Sequence, residues 1–156
     1  GDERLDPVLA VDRIANLDQV VEGLGHLQAR LLDEVVSRGD VQHRAGFVRE
    51  GEGRRCVVSM QSSHALQWIV PVGALLPLEV GSAGKVLLSG QRLAESVEER
   101  ERGVASVSAA VLDRGGRLVA AVSVSGPVER LTRTPSRRFG AAVEDAATAV
   151  SGALRG

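Results

Sequence analysis

The chain has one cysteine, one tryptophan, two phenylalanines and no tyrosine in 156 residues. Each scarcity excludes something. A lone Cys56 forms no internal disulfide and fits a reducing compartment. So few aromatics leave no platform on which single-stranded nucleic acid could stack. Charge of one sign is missing too. Nineteen Lys and Arg face twenty Asp and Glu, a formal net charge of −1, which leaves no basic surface for nucleic acid. The longest apolar stretch, ALQWIVPVGALLPLEV at 65–80, is too short to span a bilayer and holds two prolines. The opening GDERLDPVLAVDR has no basic region followed by an apolar run, so it does not read as a signal peptide. There is no internal repeat and no low-complexity tract. What is present is 44 % apolar residues in a length that suits a single core. The expectation is one soluble, cytoplasmic α+β domain over 1–156 with no membrane partner.

Apolar residues recur every three or four positions from Ile14 through Leu17, Val20, Leu24, Leu27 and Leu31 to Val35. That period predicts an amphipathic helix from about Asp12 to Gly39, weakened at Gly23 and Gly25 by about 1 kcal/mol each. Val41 to Arg49 and Arg54 to Met60, around a Glu50-Gly51-Glu52-Gly53 turn, read as an antiparallel hairpin. Ala65 to Val70 reads as a strand stopped by Pro71, and a helix opens near Ser82. Thr134-Pro135 supplies an N-cap and a first-turn proline for a last helix. That helix carries Phe139, Ala142, Val143, Ala146, Ala149, Val150, Ala153 and Leu154 on one face. Hairpins in place of strand–helix alternation point to an antiparallel sheet flanked by helices.

The segment SVSAAVLDRGGRLVAAVSVS, 106–125, is a second hairpin around Asp113-Arg114-Gly115-Gly116. With the turn centred between Arg114 and Gly115, Ser106 faces Ser123, Ser108 faces Ala121 and Ala110 faces Val119. Alternation then gathers Ser106, Ser108, Ala110, Ala121, Ser123 and Ser125 on one face, with the valines on the other. The valine face suits a helix. The serine face is unusual, because a buried hydroxyl without a partner costs roughly 1–3 kcal/mol. Two readings stand. The small residues let a helix approach, each hydroxyl bonding locally, or they floor a ligand cavity. A one-residue slip would exchange the faces.

GSAGK, 81–85, suggests an anion site at a helix start. It is not a P-loop, since the upstream glycine spacing is wrong and Val86 replaces the hydroxyl residue that would hold Mg²⁺. The alternative is a helix start that needs small residues for packing. His26, His43 and His64 are scattered and Cys56 has no partner, so no metal site and no cofactor are expected. Cys56 reads as a small core residue and EERER, 98–102, as a solvated segment. Trp68 is a core anchor or a pocket wall. No catalytic residue is assigned. A nucleophilic Ser106 or Ser123 needs a base nearby, and the hairpin holds no histidine.

LLPLEVGSAGKVLLSG and ERGVASVSAAVLDRGGRLVAAVSVSGPVERLT resemble the effector-binding domain of the IclR (isocitrate lyase regulator) family of bacterial transcription factors. The second segment is the more specific, with a G-V-x-S-V-A/S-A-x-V strand, a D-x-x-G-R turn and an A-x-S-V-S-G-P strand in that order. The resemblance runs from about Leu31 onward. It implies a GAF-like antiparallel sheet flanked by helices, with a small-molecule pocket on one face. In the family this domain follows a winged helix-turn-helix and controls its DNA binding in dimers or tetramers. Carried over by position, the implied effector-binding residues are Ser82, Ala83 and Gly84 at the helix start, Ser106 on one hairpin strand, and Ser123 and Ser125 on the other. Trp68 and Leu76 fall at apolar pocket walls, and Ser96 where many members carry an acidic residue.

Two departures accompany the resemblance. No winged helix precedes the domain, so the chain reads as a piece of a regulator that meets DNA only through the missing part. The stretch from Lys85 to Glu98 is also short for the family. Either segments were lost there, or the ends flanking a missing loop meet near Gly90–Leu93. The resulting expectation is a sensor of a small, anionic effector, an organic acid in the family's manner, acting as a homodimer or homotetramer. The alternative is an oligomerisation or interaction domain without a ligand.

Overall fold

A computed structural model describes residues 18–24, 41–61 and 70–154. Residues 18–24 are helical (α1). They are followed by β1 (His43–Glu50), β2 (Gly53–Gln61), β3 (Leu75–Pro77), α2 (Ser82–Ser89), β4 (Leu93–Val97), β5 (Val104–Leu112), β6 (Leu118–Pro127), α3 (Val128–Leu131) and α4 (Pro135–Ala153). The strands form one six-stranded sheet in the order β3-β2-β1-β6-β5-β4, every neighbour antiparallel. The architecture is the expected α+β one. Most of the expected first helix, and the strand from Ala65, lie outside the described residues, as do Trp68, His26 and His64.

The β5–β6 hairpin shows how the faces are set. Asp113 Oδ1 accepts the amides of Gly115 and Arg117 at 2.9 Å, the Asp113 amide donates to Arg117 O, and Gly116 sits at φ 80°. The loop is therefore Arg114-Gly115-Gly116, and the register shifts again between Val111 and Leu112. Ser106 faces Ser125, Ser108 faces Ser123 and Ala110 faces Ala121. The pairing read from the sequence is thus wrong by two residues. Parity survives a two-residue shift, so each side chain keeps the face the alternation gave it.

On one face Val107, Val111, Val122 and Val124 of β5 and β6 meet Phe139, Val143, Ala147 and Val150 of α4, with Val20 and Leu24 of α1 beside them. Burying each such aliphatic side chain stabilises by about 1.5–3 kcal/mol. Two details of α4 differ from expectation. Ala153 is exposed, while Gly140, Ala147 and Ser151 are buried. Thr134 makes no side-chain cap; Glu95 of β4 reaches across instead, accepting the Ser136 amide at 2.9 Å and its hydroxyl. A carboxylate at a helix N-terminus satisfies free amides and meets the positive dipole end.

The opposite face carries a second core of Ala45, Phe47, Cys56, Val70, Leu78, Ala83, Val86, Leu87, Ala94 and Ala121. Cys56 lies there as expected, and burial pushes its thiol up to about 11. Two short strands were not anticipated. β3 has three residues, and β4 is an edge strand. The short stretch after Lys85 is a direct connection. Gly90 closes α2 in the left-handed region, Gln91 and Arg92 follow, and β4 begins.

Candidate functional site

α2 stands on the serine face at a steeply constrained approach. Gly81 holds φ 88°, and a Cβ on Gly84 would lie 2.2 Å from the Leu78 carbonyl oxygen. The glycines of GSAGK are therefore demanded by packing, and Gly84 is covered by Leu78 and Arg54. Ser82 Oγ meets Ser106 Oγ and Ser108 Oγ, each at 2.7 Å, and Ser96 Oγ meets Ser106 Oγ at 3.1 Å. Four of the hydroxyls thus form a closed set joining α2, β4 and β5. Helix approach accounts for Ser82, Ser96, Ser106 and Ser108.

Ser123 and Ser125 are different. Among the described residues neither hydroxyl makes a hydrogen bond, and both line a cleft of about 40 Å³ beside the serine cluster. Room for one water needs roughly 10–15 Å³, so the interior suits a few waters or a very small molecule. Ser82, Ala83, Ser96 and Ser106 also border it, with His43, Phe47, Arg54 and Val70, and Arg100 and Glu101 from the segment after β4. Leu76 and Gly84 do not. Leu76 pairs with Arg54 in the β2–β3 ladder and packs against the second core. The EERER run is exposed, as expected of a solvated segment, yet two of its members reach the cleft.

His43, Phe47 and Arg54 are cleft residues the sequence reading missed. Their place depends on how β1 and β2 pair with β6, which local pattern does not give. The available signal was alternation in HRAGF, which sets His43, Ala45 and Phe47 on one face. Opposite on β6, His43 faces Ser125 and Ala45 faces Ser123. Arg54 is buried, 5.3 Å from the centroid of the Phe47 ring. Its Nη1 donates to Val80 O at 2.6 Å and to Pro77 O, holding the turn that leads into α2, while Nε has no partner. Burial, with Arg100 nearby, lowers its pKa to about 10, so it stays charged. His43 is lowered to about 4, chiefly by burial, with Arg100 and Arg44 adding to the effect and the Val70 carbonyl opposing it. Its ring is neutral at pH 7.

The first turn of α2 offers amides without intrahelical partners. A carboxylate already sits close by. Glu99 Oε1 lies 3.4 Å from the Gly81 amide, and its other oxygen pairs with Lys85. Chemically the cleft combines a buried cation, helix-start amides and two open hydroxyls, an arrangement that receives a small anion. Among the described residues no group of His, Cys, Asp and Glu could hold a metal ion, and no helix is long and apolar enough to cross a membrane.

Fold and site together define an α+β domain with a packed sheet face and a polar cleft on the other. Residues 90–152 match the family described as the bacterial transcriptional regulator IclR C-terminal region. The fold recurs in a transcriptional regulator from Rhodococcus sp. RHA1, at TM-score 0.78 and 19 % identity, over 87 % of this chain and 68 % of that one. It recurs in the C-terminal domain of a Vibrio cholerae transcriptional regulator, at TM-score 0.66 and 26 % identity, over 88 % and 97 %. It recurs again in the C-terminal domain of the Escherichia coli regulator KdgR, at TM-score 0.73 and 16 % identity, over 88 % and 99 %. No curated protein matches the chain. Over residues 90–152 the chain is thus similar to the C-terminal region of IclR-type transcriptional regulators, and its fold is one that such regulators share. It spans about two thirds of the first two Rhodococcus regulators it resembles, 68 % and 64 % of their lengths.

Proposed function

We propose that this domain binds a small organic acid in the cleft over β5 and β6 and thereby modulates the DNA binding of a cytoplasmic regulator of IclR type. One observation carries the reading. Four serines of the face bond one another, while Ser123 and Ser125 leave their hydroxyls open to the cleft. A face built only for packing would have no use for the second pair. In this reading the acid's carboxylate meets the first turn of α2 and the Arg54 guanidinium, and the two serines bond its remaining polar atoms. Trp68 stays a proposed wall on the family resemblance alone. Effector binding shifts a regulator only through different affinity for two of its states, here those of a homodimer or homotetramer whose DNA contacts lie in a winged helix-turn-helix.

The test is thermal unfolding of the chain across a panel of small organic acids. A ligand at a hundred times its Kd stabilises by about 2.7 kcal/mol, a shift of several degrees for a domain this size. Ser123→Val with Ser125→Val fills the cleft floor and should abolish the shift at unchanged fold. A shift that persists in the double variant removes the cleft as the site.

A further inference from the structure

The hydrogen bonds around His43 point to the ring nitrogen that carries the hydrogen. Ser59 has one hydroxyl proton. Its Oγ lies 2.5 Å from the Val70 carbonyl oxygen, which can only accept, so the proton is committed there. The same Oγ lies 2.9 Å from His43 Nε2. Ser59 must accept at that contact, and Nε2 donates. The buried ring is neutral and has a single N–H. The Val70 carbonyl also faces the ring as an acceptor, and the assignment that serves both it and Ser59 from the one N–H at Nε2 leaves Nδ1 a bare lone pair, to which no described residue donates. The rest of the cleft wall is rich in donors: the Arg54 guanidinium, the helix-start amides and two hydroxyls that turn either way.

Resting on the effector reading, we propose that the cleft selects a small hydroxycarboxylic acid: the carboxylate meets Arg54 and the first turn of α2, and the ligand's hydroxyl donates to His43 Nδ1. An acid without a hydroxyl leaves the buried nitrogen unpaired. A keto oxygen sets two acceptors against each other. An ammonium group donates, but beside the Arg54 cation it is repelled.

The three-carbon series 2-hydroxypropionate, propionate, 2-oxopropionate and alanine varies that one group on a fixed skeleton. Calorimetric titration of the chain should show 2-hydroxypropionate binding about tenfold more tightly than the other three, the usual penalty for a buried acceptor left unmet. His43→Phe should erase the preference. His43→Gln, which keeps an acceptor, should retain part of it. Nitrogen-15 spectra at pH 7 should place the ring hydrogen on Nε2 and show the Nδ1 signal moving when the hydroxy acid is added. Equal affinities across the series, a preference that survives His43→Phe, or the hydrogen found on Nδ1 would each overturn the proposal. If none of the four binds but another metabolite does, and Ser123→Val abolishes that binding, the effector reading stands and the hydroxy-acid selection falls. If no metabolite binds at all, both fall.

Discussion

The two faces of one sheet are built from the same strands and behave as different materials. Toward α4, β5 and β6 present Val107, Val111, Val122 and Val124, closed against Phe139, Val143 and Val150. Toward α2 the intervening positions are Ser106, Ser108, Ser123 and Ser125. A period of two therefore writes a dry core and a polar cleft into the same twenty residues. Stability belongs mainly to the first face, and the second can be left partly unfilled because the first is filled so well. Exchanging the chemistry of the faces should break this division unequally. Val107→Ser deletes buried methyl groups and adds a hydroxyl where Val124 stands opposite, at a cost of about 3 kcal/mol. Ser123→Val, which sacrifices no hydrogen bond, should move stability by less than about 1 kcal/mol. Urea unfolding of the two variants reads the contrast, and equal losses would show the cleft face to be ordinary core.

The next effect separates the faces by pH. Among the described residues only the cleft face carries a buried histidine, and its folded pKa of about 4 lies below the ordinary 6.5. As pH falls through 6.5 the unfolded chain takes up a proton that the folded ring refuses. Stability should drop across the window from 6.5 to 4 and level off below it, a total of about 3 kcal/mol. Arg100 and Arg44 around the ring oppose its charging, and Glu101 is the acidic group on the same cleft wall. Carboxylates titrate in the same window. The measurement is therefore the difference between wild type and His43→Gln, tracked by denaturant melts from pH 7 to pH 4. A constant difference would mean that the ring is not held neutral.

The range of each interaction decided how much of it could be read beforehand. The two hairpins, the start of α2 and the packed side of α4 are local patterns, and they were legible as alternation, as small residues at a helix start and as a three-to-four period. The division of the β5–β6 faces was legible although the pairing was not, because the three-residue loop and the irregularity after Val111 together moved each partner by two positions. β3 was too short to show a pattern, and β4, with Ala94, Glu95 and Ser96 at its centre, has little strand propensity of its own. The Glu95 cap on α4 joins residues forty-one positions apart. The cleft divides in the same way. Its serines were legible because they alternate within one hairpin. His43, Phe47 and Arg54 were not, because only the pairing of β1 with both β6 and β2 carries them there.

The smallest effect concerns Arg44, a buried cation that breaks the dryness of the α4 face. Arg44 lies opposite Val124 on β6 and Met60 on β2, and its side chain is 1 % exposed. Burial lowers its pKa, and among the described residues its Nε and Nη1 have no partner. A buried charge so poorly compensated adds nothing that an apolar side chain of similar length would not, and replacing such groups is often neutral or stabilising by about 1–4 kcal/mol. Arg44→Met keeps an unbranched, flexible side chain and removes the charge, so it should raise unfolding stability by about 1 kcal/mol. Because Arg44 also depresses the His43 pKa, the same variant should narrow the pH window of the His43 effect from its lower end. A loss of about 3 kcal/mol or more would carry the opposite meaning, since a paired buried ion that loses its partner costs that much. The face toward α4 would then hold a polar site of its own, and the contrast between a dry side and a polar cleft side would no longer describe this sheet.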